Sequence, residues 1–292
     1  MYYKILKQVQ NYVIKHLPDF TVLLNTENYK MNILDKIIVD KRNEVALKKQ
    51  LISAEDLERY PLFGYKTKSL ASALKNSSSG IIAEHKRRSP SKSVINQDLN
   101  VQDVALGYEN AGVCGMSVLT DGKYFGGALD DLILARAAVK MPLLRKEFII
   151  AEYQILEAKA HGADVILLIA AVLTRDEIKT FSELAKSLDL EVLLEVHNLQ
   201  ELEKSIMPSL DMLGVNNRNL KTFEVSTDIS KQLSEKIPSD FVKVSESGIS
   251  SVEAIKDLKK YGYQGFLIGE NFMKTDDPGS SASQFIQELT SN

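Results

Sequence analysis

The chain has 292 residues, 44% of them hydrophobic and 26% charged, an ordinary globular composition. Lys plus Arg number 36 against 39 for Asp plus Glu, and this net charge of -3 gives no long-range pull toward nucleic acid or anionic lipid, although a local basic cluster could still hold a small anion. The single cysteine, Cys114, excludes an intrachain disulfide and a cysteine-rich metal site, and no apolar run approaches the roughly 20 residues that span a bilayer.

Residues 1–30 carry a weak helical pattern at Ile5, Val9 and Val13, cut by Pro18. Lysines at 4, 7 and 15 leave no signal-peptide core, so a cytoplasmic location is expected and the segment reads as an extension of unknown role. Ile33, Leu34, Ile37 and Ile38 then form a helical stripe, and a short helix is predicted over Ala54 to Tyr60. From about residue 80 the chain alternates short apolar runs with helical patterns. The runs begin at Ile81, Met116, Pro142, Val165, Val192, Met212, Phe241 and Phe266. Nearly all are apolar on both faces, as expected of parallel strands covered by helices. Helices are predicted over Tyr153 to Ala160, Glu177 to Ser187, Leu199 to Ile206 and Val252 to Lys260. Gly162 and Gly262 sit where left-handed caps belong, and Ser250 with Glu253 has capping-box spacing. Eight such units predict a closed (β/α)8 TIM barrel over residues 31–292, preceded by an N-terminal helical extension. An open doubly wound sheet would carry a glycine-rich fingerprint after its first strand, and Glu84-His85-Lys86-Arg87-Arg88 is not one.

Strand C-termini open into the mouth of such a barrel. Here they carry Glu84 and Lys86, Lys146, Glu195, Asn216 and Arg218, Glu246, and Glu270. Charges are costly in an interior unless paired, so packing alone does not explain this set, even though any one member could sit on a solvated loop. Period-two alternation turns Glu84 and Lys86 the same way and His85 toward the helices, as a satisfied structural histidine. His16, His161 and His197 show no ligand spacing, and no metal is predicted. Ser247-Gly248 and Gly269 would let backbone N–H groups approach a phosphate, with the following helix adding its positive end. Ser89-Pro90-Ser91-Lys92 fits a carboxylate-binding loop and an exposed turn equally well. Cys114 reads as a small buried hydrophobe.

Taken together, these stretches resemble the indole-3-glycerol phosphate synthase family. The matching segments are Ile81 to Lys92, Ser117 to Asp121, Leu144 to Ile149, Leu193 to His197, Gly214 to Glu224, Val244 to Ile249 and Leu267 to Glu270. The resemblance runs from about Met31 to the C-terminus. It implies the substrate 1-(2-carboxyphenylamino)-1-deoxyribulose 5-phosphate, ring closure with loss of carbon dioxide and water, and a place in tryptophan biosynthesis. It makes Lys146 the general acid of ring closure, Glu195 the later acid/base partner and Glu84 with Lys86 a catalytic pair. Asn216 and Arg218 orient the substrate, Ser247, Gly248 and Gly269 hold its phosphate, and Ser89 lies near the anthranilate end. Glu246 and Glu270 complete the substrate-binding set. No cofactor is implied, and no nucleic acid, membrane or obligatory protein partner. The segment from about Met31 to Tyr60 would lid the mouth. His85, Arg88 and Ser93 depart from the family pattern without removing a catalytic side chain. Two other readings of the same lysines remain, a Schiff-base aldolase and a non-catalytic phosphate-binding scaffold.

Overall fold

A computed structural model describes residues 31–219 and 222–291; the weak helical pattern of residues 1–30 lies outside them. Eight parallel strands close into a barrel in chain order, β1-β2-β3-β4-β5-β6-β7-β8. They are β1 (Ile81–His85), β2 (Gly115–Leu119), β3 (Leu143–Lys146), β4 (Val165–Ile169), β5 (Glu191–Val196), β6 (Met212–Asn216), β7 (Val242–Glu246) and β8 (Gly265–Ile268). Closure comes from Ile81, Ile82 and Ala83 of β1 pairing with Phe266, Leu267 and Ile268 of β8.

The pleat sorts each strand into two sets. Inward positions such as Ile82, Leu144, Leu167, Leu193, Met212 and Val244 form one buried cluster inside the barrel. Outward positions such as Ala83, Val118, Ile166, Leu194 and Val215 join the helices in a larger one. This two-sided burial is why the strands read as continuous apolar runs.

Among the described residues, three helices precede β1: α1 (Ile33–Leu51), α2 (Ala54–Glu58) and α3 (Leu70–Lys75). Helix α1 starts at a capping box in which Asn32 and Asp35 exchange hydrogen bonds at 3.0 Å each way. Helix α3 was not legible in the sequence. Its Leu70, Ala71 and Leu74 pack into the inner cluster with Ile82 and Val244 and plug the barrel end opposite the mouth.

The remaining helices are α4 (Val101–Asn110), α5 (Gly122–Phe125), α6 (Leu129–Ala138), α7 (Glu152–Ala160), α8 (Arg175–Ser187), α9 (Leu199–Ser205), α10 (Asp228–Ser234), α11 (Val252–Lys259), α12 (Glu270–Met273) and α13 (Pro278–Thr290). Gly162 and Gly262 take φ of 83° and 81°, the left-handed caps read from the sequence. The cap of α11 lies one residue later than the spacing of Ser250 and Glu253 suggested: Ser251 accepts from the Ala254 N–H. Ser250 instead lines the mouth. Among the described residues, no helix is long and apolar enough to cross a membrane.

Candidate active site

The C-terminal strand ends enclose a cavity of about 380 Å³, and all twelve residues singled out from the sequence line it. Glu84 and Lys86 come from the end of β1, Lys146 from β3, Glu195 from β5, Asn216 from β6 and Glu246 from β7. Ser89, Arg218, Ser247, Gly248 and Gly269 come from the loops and turns that follow, and Glu270 opens α12. The pleat alone brings the first group together, because a strand's last inward side chain has no further layer above it.

Lys146 stands at the centre. Its ammonium lies 3.1 Å from Glu195 Oε2 and donates a second, short hydrogen bond to Glu246. Burial disfavours the charge, but Glu246, Glu195 and Glu84 outweigh it, so the lysine is held protonated well above its ordinary range. The carboxylates diverge. Burial, with the neighbouring charges of Glu195 and Glu84, pushes Glu246 up to about 7 despite Lys146. For Glu195, burial is overcome by Lys146, by His197 and by the hydrogen bond from Asn216, and its carboxyl lies well below the usual range. Two carboxylates on one lysine therefore rest in different protonation regimes near neutrality, a separation typical of acid/base sites.

Asn216 is fixed from both ends: its Oδ1 accepts from the Arg218 N–H at 3.0 Å, and its Nδ2 donates to Glu195 Oε1 at 3.0 Å. Lys86 donates to Glu84 Oε1 at 2.6 Å, so these two residues form a pair on the inner face. His85 points outward and is buried, as the alternation required. Burial and the Arg87 charge push it down to about 4, so it is neutral. Among the described residues, however, its Nε2 has no hydrogen-bond partner. The same alternation turns Arg145 away from the mouth, onto Glu157 at 2.6 Å and the Gln154 carbonyl at 2.8 Å.

Two glycines are explained by close approach. A β-carbon at Gly269 would lie 2.5 Å from Glu84 Oε1, and one at Gly214 would lie 2.3 Å from Glu246 Oε1. Gly269, read from the sequence only as a phosphate turn, therefore also makes room for Glu84. Ser247 and Gly248 adopt φ of 67° and 73°, two consecutive left-handed residues at the end of β7. A serine there stores strain of about 1 kcal/mol or more, of the kind found at ligand sites. Lys92 pairs with Glu270 at 2.8 Å and clips the β1 loop to the end of β8.

Ile33, Leu34 and Ile37 of α1, within the segment expected to lid the mouth, line one side of the cavity; Phe125, Phe148 and Phe223, which the sequence reading missed, line it elsewhere. Phe125 and Phe148 pack with ring centroids 5.9 Å apart. Charged strand ends beside an aromatic wall suit a ligand that is both flat and anionic. Phe148 follows directly on the strand-three charges, and that adjacency was the available signal. Among the described residues, no cluster of His, Cys, Asp and Glu could hold a metal ion.

Comparisons with known proteins agree in direction. Residues 34–288 match the family Indole-3-glycerol phosphate synthase. An indole-3-glycerol phosphate synthase of Bacteroides thetaiotaomicron is 47% identical over 258 residues, covering 88% of this chain and 99% of the relative. That of a Polaromonas species is 42% identical, covering 87% and 98%. That of Aliarcobacter butzleri is 41% identical, covering 88% and 99%. A solved structure described as "Native KDPGal structure" superposes with a TM-score of 0.50 at 12% identity, covering 72% of this chain and 91% of that one, a likeness of fold alone. With the family match spanning nearly all of the barrel and relatives above 40% identity along its whole length, the chain belongs to the indole-3-glycerol phosphate synthase family.

Proposed function

We infer that the chain is a carboxy-lyase that converts 1-(2-carboxyphenylamino)-1-deoxyribulose 5-phosphate to indole-3-glycerol phosphate, with loss of carbon dioxide and water, in tryptophan biosynthesis. The observation that carries this reading is one ammonium, Lys146, surrounded by carboxylates of divergent protonation at the bottom of a part-apolar mouth.

The proposed chemistry follows from that arrangement. Attack of the aromatic carbon on the ketone builds negative charge on the carbonyl oxygen. The Lys146 ammonium stabilises that charge and supplies the proton. Carbon dioxide then leaves with its bonding pair going back into the ring, which restores aromaticity. Dehydration breaks the C–O bond of the new hydroxyl, so it needs an acid for the departing oxygen and a base for a hydrogen of the five-membered ring. Glu195 serves in this step with Asn216 orienting it, and Lys86 with Glu84 is the second acid/base pair. Lys86 also stands ready to neutralise the substrate carboxylate.

The substrate phosphate is assigned to Ser247, Gly248 and Gly269, with Arg218, Glu246 and Glu270 shaping the same rim and Ser89 near the anthranilate ring. The mild net charge and single cysteine support cytoplasmic work on a small phosphorylated substrate, with no nucleic acid, membrane or obligatory protein partner. The Schiff-base alternative fits poorly, since an amine nucleophile must be unprotonated and Lys146 is held firmly in its charged form.

Incubation with the carboxyphenylamino substrate tests the assignment. Indole fluorescence should rise with release of carbon dioxide, and borohydride should label no lysine. Labelling of Lys146 or Lys86 by borohydride with a sugar phosphate, without indole formation, would replace this reading with an aldolase.

A further inference from the structure

Glu195 has a neighbour that the proposed chemistry leaves unused. His197 lies two residues on from Glu195, so it faces the same side of the chain, and its side chain is only 11% exposed. Its Nδ1 lies 3.2 Å from Glu201 Oε2, near the start of α9. The same Oε2 accepts the His197 backbone N–H at 2.8 Å, and Oε1 accepts from Asn198 Nδ2 at 2.7 Å. Glu201 is thus locked by three donors. The other ring nitrogen, Nε2, is buried without an aligned hydrogen-bond partner among the described residues and lies 3.3 Å from Glu195 Oε1. That same Oε1 accepts from Asn216, while Oε2 faces Lys146. A chain of contacts therefore runs Lys146–Glu195–His197–Glu201 from the centre of the mouth to the first turn of α9.

We propose that His197 is a positioning residue for the acid/base carboxylate: anchored by Glu201, its imidazolium holds Glu195 ionised and turned toward Lys146. The proposal rests on the acid/base role of Glu195 given above. The charges acting on the ring are Glu195 of β5, Glu201 of α9 and Glu246 of β7, with Lys146 of β3 beyond Glu195. Burial disfavours charge on the ring, but the hydrogen bond to Glu201 and the three carboxylates outweigh it, so the ring holds its proton above the ordinary histidine range. The fixed cation orients Glu195, as a third group orients the base in other acid/base relays.

The test has two independent readouts. The first is the ¹⁵N titration of His197 in the wild type, Glu195→Gln and Glu201→Gln. The ring should titrate above 6.5 in the wild type and lower in each variant. A titration at or below the ordinary value, or one unmoved by either variant, overturns the pairing. The second is the pH profile of turnover. His197→Ala should lower kcat by about tenfold, the scale of one hydrogen bond to a charged group, with KM little changed. His197→Gln keeps a donor at the Nε2 position, so it should recover most of kcat while losing the ionisation contributed by the imidazole. Wild-type kcat and pH profile in both His197 variants overturn the proposal. If Glu195→Gln turns over normally while the ring titrates above 6.5 in the wild type and lower in both variants, the role given to Glu195 fails and the pairing stands.

Discussion

The cover over the mouth depends on one buried cation. Lys41 of α1 is 1% exposed, and its ammonium lies 2.7 Å from Glu44, 3.0 Å from Glu147 and 3.1 Å from Asp121. Asp121 caps α5 by accepting from the Tyr124 and Phe125 N–H groups. Glu147 follows Lys146 directly and accepts from Thr120 at 2.8 Å. The network continues from Arg145 to Glu157 and from Glu157 to Lys48 at 3.2 Å, returning to Glu44 at 3.0 Å. Lys41→Met keeps the length of the side chain and removes the charge, leaving Asp121 and Glu147 buried without their shared cation. Breaking one member of such a cluster costs about 3–5 kcal/mol. At about 2 °C per kcal/mol for a chain of this size, the melting temperature should drop by about 6–10 °C. Lys48→Met is the control: Lys48 is 30% exposed, so it should cost about 1 kcal/mol or less. Because α1 carries Ile33, Leu34 and Ile37 into the cavity wall, Lys41→Met should also raise KM more than it lowers kcat. Circular-dichroism melts and fluorescence kinetics on both variants measure these effects. Equal melting temperatures for wild type and Lys41→Met would refute the claim that this ion network secures the cover.

Three further outcomes follow from the site. Glu246 is raised to about 7, so in the folded protein it takes up a proton at a pH where the unfolded chain has already lost it; its contribution to stability is full below the unfolded value near 4.5 and is lost as pH rises through 7. Glu246→Gln removes that loss, so its stability relative to wild type should improve between about pH 4 and about pH 8, limits that bracket the two values, in urea titrations, while kcat falls. Gly269→Ala forces a β-carbon against Glu84, and overpacking of this kind costs about 1–3 kcal/mol; turnover should fall by about tenfold or more as the Glu84–Lys86 pair shifts. Gly214→Ala should act likewise through Glu246, and steady-state kinetics with normal values for both would remove the close-approach argument.

The barrel was legible because parallel strands buried on both faces leave runs such as Val165–Ile169 that no loop would carry. The candidate site was legible for a related reason. An inward-facing charge at a strand's end, such as Lys146 or Glu195, has no packing explanation, so position and residue type together marked the mouth. Other features depend on partners far apart in sequence. Lys41 meets Asp121 and Glu147 only once α1 lies across the strand ends, and nothing local in residues 33–51 announces that. Helix α3 is a six-residue segment whose role as a plug exists only against the inner face of the barrel. The outward turn of Arg145 was available from alternation once Lys146 was placed inward. The one-residue offset of the α11 cap was not, because Ser250 and Ser251 are adjacent serines with equal capping chemistry.

The central claim is that Lys146 protonates the carbonyl oxygen during ring closure, and single-turnover indole fluorescence of Lys146→Ala tests it most directly. The account predicts a loss of about 10²-fold or more against the wild type, the scale of a missing general acid. Near-normal formation of the indole product by Lys146→Ala would contradict it.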